Sequence, residues 1–276
     1  MRTALIDGDM IRYTLGFACQ EVWPSGAIET SPEHQWKRSV DLFLKGIVAG
    51  SGSSGPPKVY LTGKGNFREA VAKKKPYKGT RKAEKPALYE EISTYLIDTW
   101  AAEVIEGMEA DDALAINQTE DTIICSNDKD LRMVTGWHYS WPVGSHIRER
   151  MPYLVDKLGE FKVFLKEDSK IKKVEATGLK MFYLQLLTGD SVDNIPGCPK
   201  IGPIKAYEAL HTLTTEMEMY EKCLSMYQDK YPENALEELL EQAHLLWMVD
   251  ELDNNGAPIM WTPPTETADD VPVLNR

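Results

Sequence analysis

Short apolar strands alternate with amphipathic helical stretches through the first half of this 276-residue sequence. That alternation predicts an α/β fold, with a mainly parallel central sheet and helices on both faces. Acidic residues stand just past the end of one strand after another, where open α/β sheets hold ligands. A glycine-rich turn then separates two helical stretches around Ile195-Pro-Gly197, so a helical subdomain with a helix-hairpin-helix follows the sheet.

The elements are predicted in order. Ala4-Leu-Ile6 is a buried strand ending in Asp7-Gly-Asp9, with a helix following through about Phe17 and Asp9 as its candidate cap. After a polar connection, Ser31-Pro-Glu reads as an N-cap with proline at the first helical position, and Trp36, Val40, Leu44 and Ile47 form one apolar stripe. Gly50 to Gly55 is a flexible loop, and Lys58-Val-Tyr-Leu-Thr62 is the second strand. A helix from Lys85-Pro86 carries Leu88, Ile92, Leu96 and Trp100, and Glu103 to Glu106 is the third strand. Glu109 to Ile116 is a short helix, Thr122 to Ser126 the fourth strand, and Trp137 to Trp141 an edge strand. Pro142 to Val174 has a weak pattern and no evident chemistry. Helices are predicted over Ala176–Leu187, Glu216–Tyr227 and Glu233–Val249, the last with Leu236, Leu239, Leu240, Ala243 and Leu246 facing a core.

With 42% hydrophobic residues the chain can bury a full core. The expected division is a metal-binding α/β domain over 1–175, with a basic segment at about 64–85. A helical subdomain over 176–262 carries the hairpin at about 180–210, and a loose tail fills 263–276. No apolar run approaches the roughly 18 residues a membrane span needs, and Asp7 and Asp9 break the N-terminal apolar stretch, so a cytoplasmic protein without membrane contact is expected. Cys19, Cys125, Cys198 and Cys223 are far apart and read as reduced thiols.

Five carboxylates, Glu109, Asp111, Asp112, Asp128 and Asp130, flank the strand Thr122–Ser126. Acids in a first helical turn often only complement the helix dipole, and Asn-Asp after a strand is ordinary turn chemistry. Repetition decides: Asp7 follows another strand end, and Asp190 and Asp193 feed the glycine hairpin. Acids this close cannot all stay ionised without a cation, so they read as a divalent-metal site with hard oxygen ligands.

The net charge of −12 argues against a nucleic-acid partner, but its distribution argues for one. Lys64, Arg68, Lys73, Lys74, Lys75, Lys78, Arg81, Lys82 and Lys85 are nine of the chain's 31 basic residues, opposed in that segment only by Glu69 and Glu84. Phe67 and Tyr77 interleave them, as a surface that binds phosphates and stacks bases needs. In the hairpin, Gly197 and Gly202 allow backbone to approach a phosphate, with Lys200 and Lys205 beside them.

Taken together, Leu5-Ile-Asp-Gly-Asp9, Gly107-Met-Glu-Ala-Asp-Asp112, Ser126-Asn-Asp-Lys-Asp130 and Gly189-Asp-Ser-Val-Asp-Asn-Ile-Pro-Gly197 resemble the blocks of the 5′-nuclease superfamily, with the nearest likeness to bacteriophage 5′ to 3′ exonucleases and the related flap endonucleases. The resemblance spans about Leu5 to Ala206. It implies a PIN-like, resolvase-like sheet, two divalent ions (Mg2+ or Mn2+) on Asp7, Glu109, Asp111, Asp112, Asp128, Asp130, Asp190 and Asp193, and a K+ ion at the helix-hairpin-helix. Tyr77-Lys-Gly-Thr-Arg81 is similar to the family's basic motif that admits the 5′ strand, which makes Lys78 and Arg81 the implied charge-neutralising catalytic residues. The implied partner is DNA with a 5′ end, nick or flap, or an RNA:DNA hybrid, in a phage-infected cytoplasm. One departure is Thr62-Gly63, where the family usually carries an aspartate.

Two other readings compete. Asp7-Gly-Asp9 and Gly189-Asp-Ser-Val-Asp193 also resemble phosphatases of the haloacid dehalogenase type, which expect a strand before Gly189. A non-catalytic binder of branched DNA would use Lys78, Lys200 and the hairpin but has no need of eight acids.

Overall fold

In the computed structural model, which describes residues 2–80, 84–144 and 147–265, the chain opens with β1 (Thr3–Asp7), α1 (Gly8–Ala18), β2 (Gln20–Val22), β3 (Ile28–Thr30), α2 (Glu33–Gly50) and β4 (Lys58–Thr62). Then come α3 (Phe67–Val71), α4 (Tyr89–Trp100), β5 (Glu103–Ile105), α5 (Ala110–Ile116), β6 (Thr122–Cys125) and a 3-10 turn at Asp130–Met133. The rest is β7 (Gly136–Ser140), β8 (Arg150–Val155), β9 (Phe161–Leu165), β10 (Ile171–Ala176), α6 (Gly178–Thr188), α7 (Pro203–Leu210), α8 (Glu216–Gln228) and α9 (Ala235–Leu246).

Contacts gather these elements into two units. The first comprises Met1–Phe67, Lys82–Val155 and Met248–Ala257; the second comprises Arg68–Arg81, Asp156–Trp247 and Pro258–Arg276. The division therefore falls at Asp156 rather than at 175, and the basic segment is split between the units.

The first unit is built on a six-stranded sheet in the order β5-β4-β1-β6-β7-β8, parallel throughout except for the antiparallel pair β7–β8. Successive strands leave β1 toward β4 and β5, and the chain then returns to β6 on the other side of β1. Crossovers keep one hand, so reversing direction across the sheet moves the connecting helix to the opposite face. Ala4, Ile6, Val59, Leu61, Ile123 and Cys125 alternate along the strands into one core with α1, α2 and α4. Leu5, Tyr60 and Ile124, one residue out of phase, are also buried, and α5 contacts β1, β4 and β5. Helices thus flank the sheet.

In the second unit, Phe182 of α6 meets Trp247 and Trp261 at ring separations of 5.0 and 5.4 Å, and the buried Tyr227 hydroxyl donates to the Leu186 carbonyl at 2.7 Å. All four cysteines are free and buried. Among the described residues no helix is long and apolar enough to cross a membrane.

Several expected elements differ. Trp137 to Trp141 supplies an internal strand, β7, because β8 pairs outside it. The polar connection after α1 is a small hairpin, β2–β3, and the featureless 142–174 stretch holds β8, β9 and β10. Pro32, not Ser31, precedes the first turn of α2, and α4 starts at Tyr89. Leu236 lies exposed rather than in the core. The strands that went unpredicted are short, three to six residues, and helix starts are set by caps that shift by a residue or more in tertiary context.

Candidate functional site

In the first unit the strand order reverses between β1 and β6, the position in an open α/β sheet where ligands bind outside the carboxyl ends. Asp7 ends β1 and Ser126 follows β6. The Ser126 hydroxyl donates to Asp7 Oδ2 at 2.7 Å, while Asp7 Oδ1 accepts from the Met10 amide at 3.1 Å and so caps α1. Asp7, not Asp9, is therefore the cap. The loop after β6 is folded on the same serine: the Asp128 amide donates to Ser126 Oγ at 2.9 Å, and the Asp130 amide donates to Asp128 Oδ1 at 2.8 Å.

Burial raises the Asp7 carboxyl to a pKa of about 7, with further upward pushes from Asp9 and Asp128 that the Ser126 and Met10 hydrogen bonds only partly offset. Asp111 is raised well above the carboxylate range, first by burial and then by Asp7, Asp128, Glu109 and Asp9. Five carboxylates of three sheet-edge loops thus repel one another. Asn127, within the same loop, leaves both polar side-chain atoms buried with no partner among the described residues. Among the described residues no three His, Cys, Asp or Glu side chains are already closed around an ion-sized position. The donor set, all hard oxygens under mutual repulsion beside an orphaned amide, still fits divalent cations.

Other acids near the site make contacts of their own. Asp112 is fully buried; its Oδ2 accepts from the Glu109 amide at 3.1 Å in a capping box, and its Oδ1 accepts from the Val249 amide at 3.1 Å. Those bonds tie α5 to the segment 248–257 and give Asp112 a structural part. Asp130 pairs with Lys129 at 3.0 Å. Asp9 is held by Arg12 at 2.7 Å and by the Thr62 amide at 3.0 Å, with the Arg12 guanidinium buried over the Tyr89 ring. Thr62 itself has a definite part: its hydroxyl accepts from the Ala110 amide at 2.9 Å and so holds the start of α5.

The second unit holds Asp190 and Asp193. Asp190 is buried, and its Oδ1 accepts from the Val192 amide at 2.7 Å. Asp193 Oδ2 accepts from the Tyr77 hydroxyl at 3.1 Å, its carbonyl accepts from the Lys78 amide at 3.0 Å, and Asn194 Nδ2 donates to the Pro76 carbonyl at 2.9 Å. The basic segment is thus fastened to the loop after α6.

The structure corrects two predicted DNA contacts, Arg68 and Gly197, and shows the surroundings of the lysines. Arg68 is buried, donating to the Leu245 carbonyl at 3.1 Å and the Trp247 carbonyl at 2.7 Å, where a cation complements the end of α9. Glu241 of α9 accepts from the Lys73 and Lys74 amides at 2.9 and 2.8 Å, Lys74 pairs with Glu238, and Lys73 lies 3.8 Å from Glu237. Lys75 is exposed. Gly197 does not offer its amide outward: it donates to Gln242 Oε1 at 3.0 Å. Its φ is +65°, and a Cβ there would stand 2.2 Å from the Gly189 amide nitrogen. Close packing with Gly189, not phosphate approach, demands this glycine. Gly202 precedes α7 and has open space around it, while Lys200 and Lys205 are exposed. Arg81 and Lys82 lie outside the described residues.

Sequence reasoning passed over Ser126, Arg12, Thr62 as an acceptor, and the α9 glutamates. Ser126 could have been found as the hydroxyl directly after a strand end, and Arg12 as the i+3 partner of Asp9; the α9 contacts have no local signal.

No family model matches the chain. A DNA polymerase I from Rhizobium leguminosarum is 32% identical over 137 residues, which is 48% of this chain but only 12% of the polymerase. Among solved structures, a bacteriophage T5 protein co-crystallised with metal ions superposes with a TM-score of 0.51 at 16% identity, covering 88% of this chain and 89% of that one. The T5 flap endonuclease, in a complex with DNA and metal ions, superposes with a TM-score of 0.50 at 18% identity, covering 87% of this chain and 99% of that one. The fold is the one these phage proteins have.

Proposed function

We propose that the chain is a metal-dependent 5′ to 3′ exonuclease and flap endonuclease that hydrolyses DNA phosphodiester bonds. The observation that carries the reading is the set of mutually repelling carboxylates around Asp7 and Asp111, at the strand-order reversal of a sheet with the T5 nuclease fold. The ligands we assign are Asp7, Glu109, Asp111, Asp128 and Asp130. Asp190 and Asp193 are assigned by the resemblance alone, and Asp112 is moved to a supporting part. When bound, two divalent cations, Mg2+ or Mn2+, supply charge neutralisation at the phosphate and an acidified water.

The protein's own share is orientation and charge. Ser126 fixes the Asp7 carboxylate and, through the Asp128 amide, the loop that follows β6. Arg12 occupies Asp9 and keeps that acid out of the ligand set. Lys78 and Arg81 are proposed to face the developing phosphate charge, a role worth several kcal/mol at comparable sites. Lys75, Lys82, Lys200 and Lys205 are proposed phosphate contacts, and K+ at the helix-hairpin-helix is part of the same proposal. Hydrolysis of RNA in a hybrid by this site, and work in a phage-infected cytoplasm, complete it. The phosphatase alternative loses its premise, since the helix α6 precedes Gly189.

The test is digestion of end-labelled nicked duplex, blunt duplex, flap and RNA:DNA hybrid, with magnesium and with chelator. Products released from the 5′ end or at the flap junction, only with the metal, are expected. Digestion from 3′ ends, or cleavage unaffected by chelator, overturns the reading.

A further inference from the structure

The β9–β10 hairpin belongs to the second unit and has no part in the site described above. It forms its own two-stranded sheet, and two strands alone are marginal in water. This one is braced at its base. The Thr177 amide donates to the Glu160 carbonyl at 3.0 Å, the Glu160 amide donates to Thr177 Oγ1 at 3.0 Å, and the Phe161 ring meets Tyr207 of α7 edge-on at 5.3 Å. Cross-strand register sorts its side chains onto two faces. Phe161/Ala176, Val163/Val174 and Leu165/Ile171 are paired on the apolar face. Lys162 and Phe164 alternate with these and share the other face, where Glu175 and Lys173 are their cross-strand partners, and Lys166 follows at the turn.

On that second face, Phe164 is 36% exposed, with the Lys162 and Lys173 ammonium groups 5.5 and 5.7 Å from its ring. Lys173 is paired with Glu175 at 2.6 Å, but among the described residues Lys162, Lys166 and Lys172 have no carboxylate partner. Residues 161–176, the two strands and their turn, carry five lysines against three acids in a chain of net charge −12. An exposed ring flanked on a sheet face by the Lys162 and Lys173 ammonium groups has the chemistry to stack an unpaired base and hold its flanking phosphates.

We propose that this face of the β9–β10 hairpin binds a single-stranded nucleic-acid segment. The proposal rests on the reading that the chain acts on DNA, and it adds a strand contact outside the carboxylate site.

The experiment measures binding by fluorescence anisotropy in the full chain carrying Asp128→Asn with magnesium present, using blunt duplex and the same duplex with a single-stranded extension. Phe164→Ala is expected to weaken binding of the extended substrate by about tenfold and leave blunt duplex unchanged, with Phe164→Tyr restoring it. Lys162→Gln with Lys166→Gln is expected to reduce the salt slope on the extended substrate by about 1.4. Equal losses on both substrates, or none, overturn the proposal while leaving the nuclease reading intact. A dimer in sedimentation that Leu165→Asp dissolves, with DNA binding unchanged, would give the hairpin to a second copy of the chain and overturn it as well. If the parent chain binds neither substrate, both readings fall together.

Discussion

The two units hold their carboxylates in different ways. At the sheet edge of the first, Asp7 and Asp111 are pushed up by burial and by each other's neighbours. In the loop after α6, Asp190 and Asp193 accept hydrogen bonds from the Val192 amide and the Tyr77 hydroxyl. One set is held under mutual repulsion; the other accepts hydrogen bonds that fold its own loop. Sequence spacing makes the two look alike.

The largest expected effect tests the repelling set. Asp7→Asn keeps both hydrogen-bond geometries, since an amide accepts from Met10 and donates to Ser126, but removes a ligand charge. Activity should fall by at least about 100-fold, while the chelated variant melts higher than the parent at neutral pH. Asp7 has a folded pKa of about 7 against an ordinary 3.8. The stability it contributes is therefore present at low pH and lost as pH rises from about 4 through 7, by a few kcal/mol at most. A chelated variant that melts lower than the parent would break the comparison.

Next in size is the glycine contact behind the satisfied set. Gly197→Ala puts a Cβ against the Gly189 backbone at positive φ and should destabilise the second unit by about 3 kcal/mol or more. Gly202→Ala, in open space, should change stability by less than about 0.5 kcal/mol. Differential scanning calorimetry separates the two; equal effects would show that the hairpin has another conformation.

A third measurement isolates the Asp7 slope from an opposing one. His138 is buried beside the Val134 carbonyl and its pKa is lowered to about 4, chiefly by burial. The fold keeps it neutral, so its stabilisation is full above about 6.5 and is lost as pH falls toward 4, on the order of 3 kcal/mol. His138→Gln should flatten that acid limb in a urea titration across pH and leave the rise-with-acid due to Asp7 in view.

The smallest effect is Tyr77→Phe, which removes one hydrogen bond to Asp193 and should cost about 1 kcal/mol. Protease cleavage near Pro76 should quicken with it. Unchanged cleavage would mean that the basic segment is held by its backbone bonds alone.

Much of this was legible in the sequence, and the failures have a common cause. The parallel sheet, the acids after β1 and β6, and the two helices around the glycine turn follow from period and local chemistry. Arg68 was counted as a DNA contact because charge is visible in a sequence and its partner is not; the acids beside Lys73 and Lys74 were equally hidden. Glu237, Glu238 and Glu241 lie more than 160 residues away. Asp112 was taken for a ligand because its spacing from Glu109 suits one, but the same spacing suits a capping box. β9 and β10 escaped notice because lysines alternate with the apolar residues on strands only five and six residues long.

The contact between Gly189 and Gly197 also bears on how this chain can diverge. A buried Leu–Ala pair exchanges volume, so one enlargement is rescued by one reduction across the contact. Here both partners are already at the minimum, each Cβ would meet the other's backbone, and both residues have positive φ. Neither position offers a neutral first step, and no second step at the other compensates. The segment between them is therefore free to vary in sequence only inside a frame of fixed ends, as a bead moves between two knots on a string.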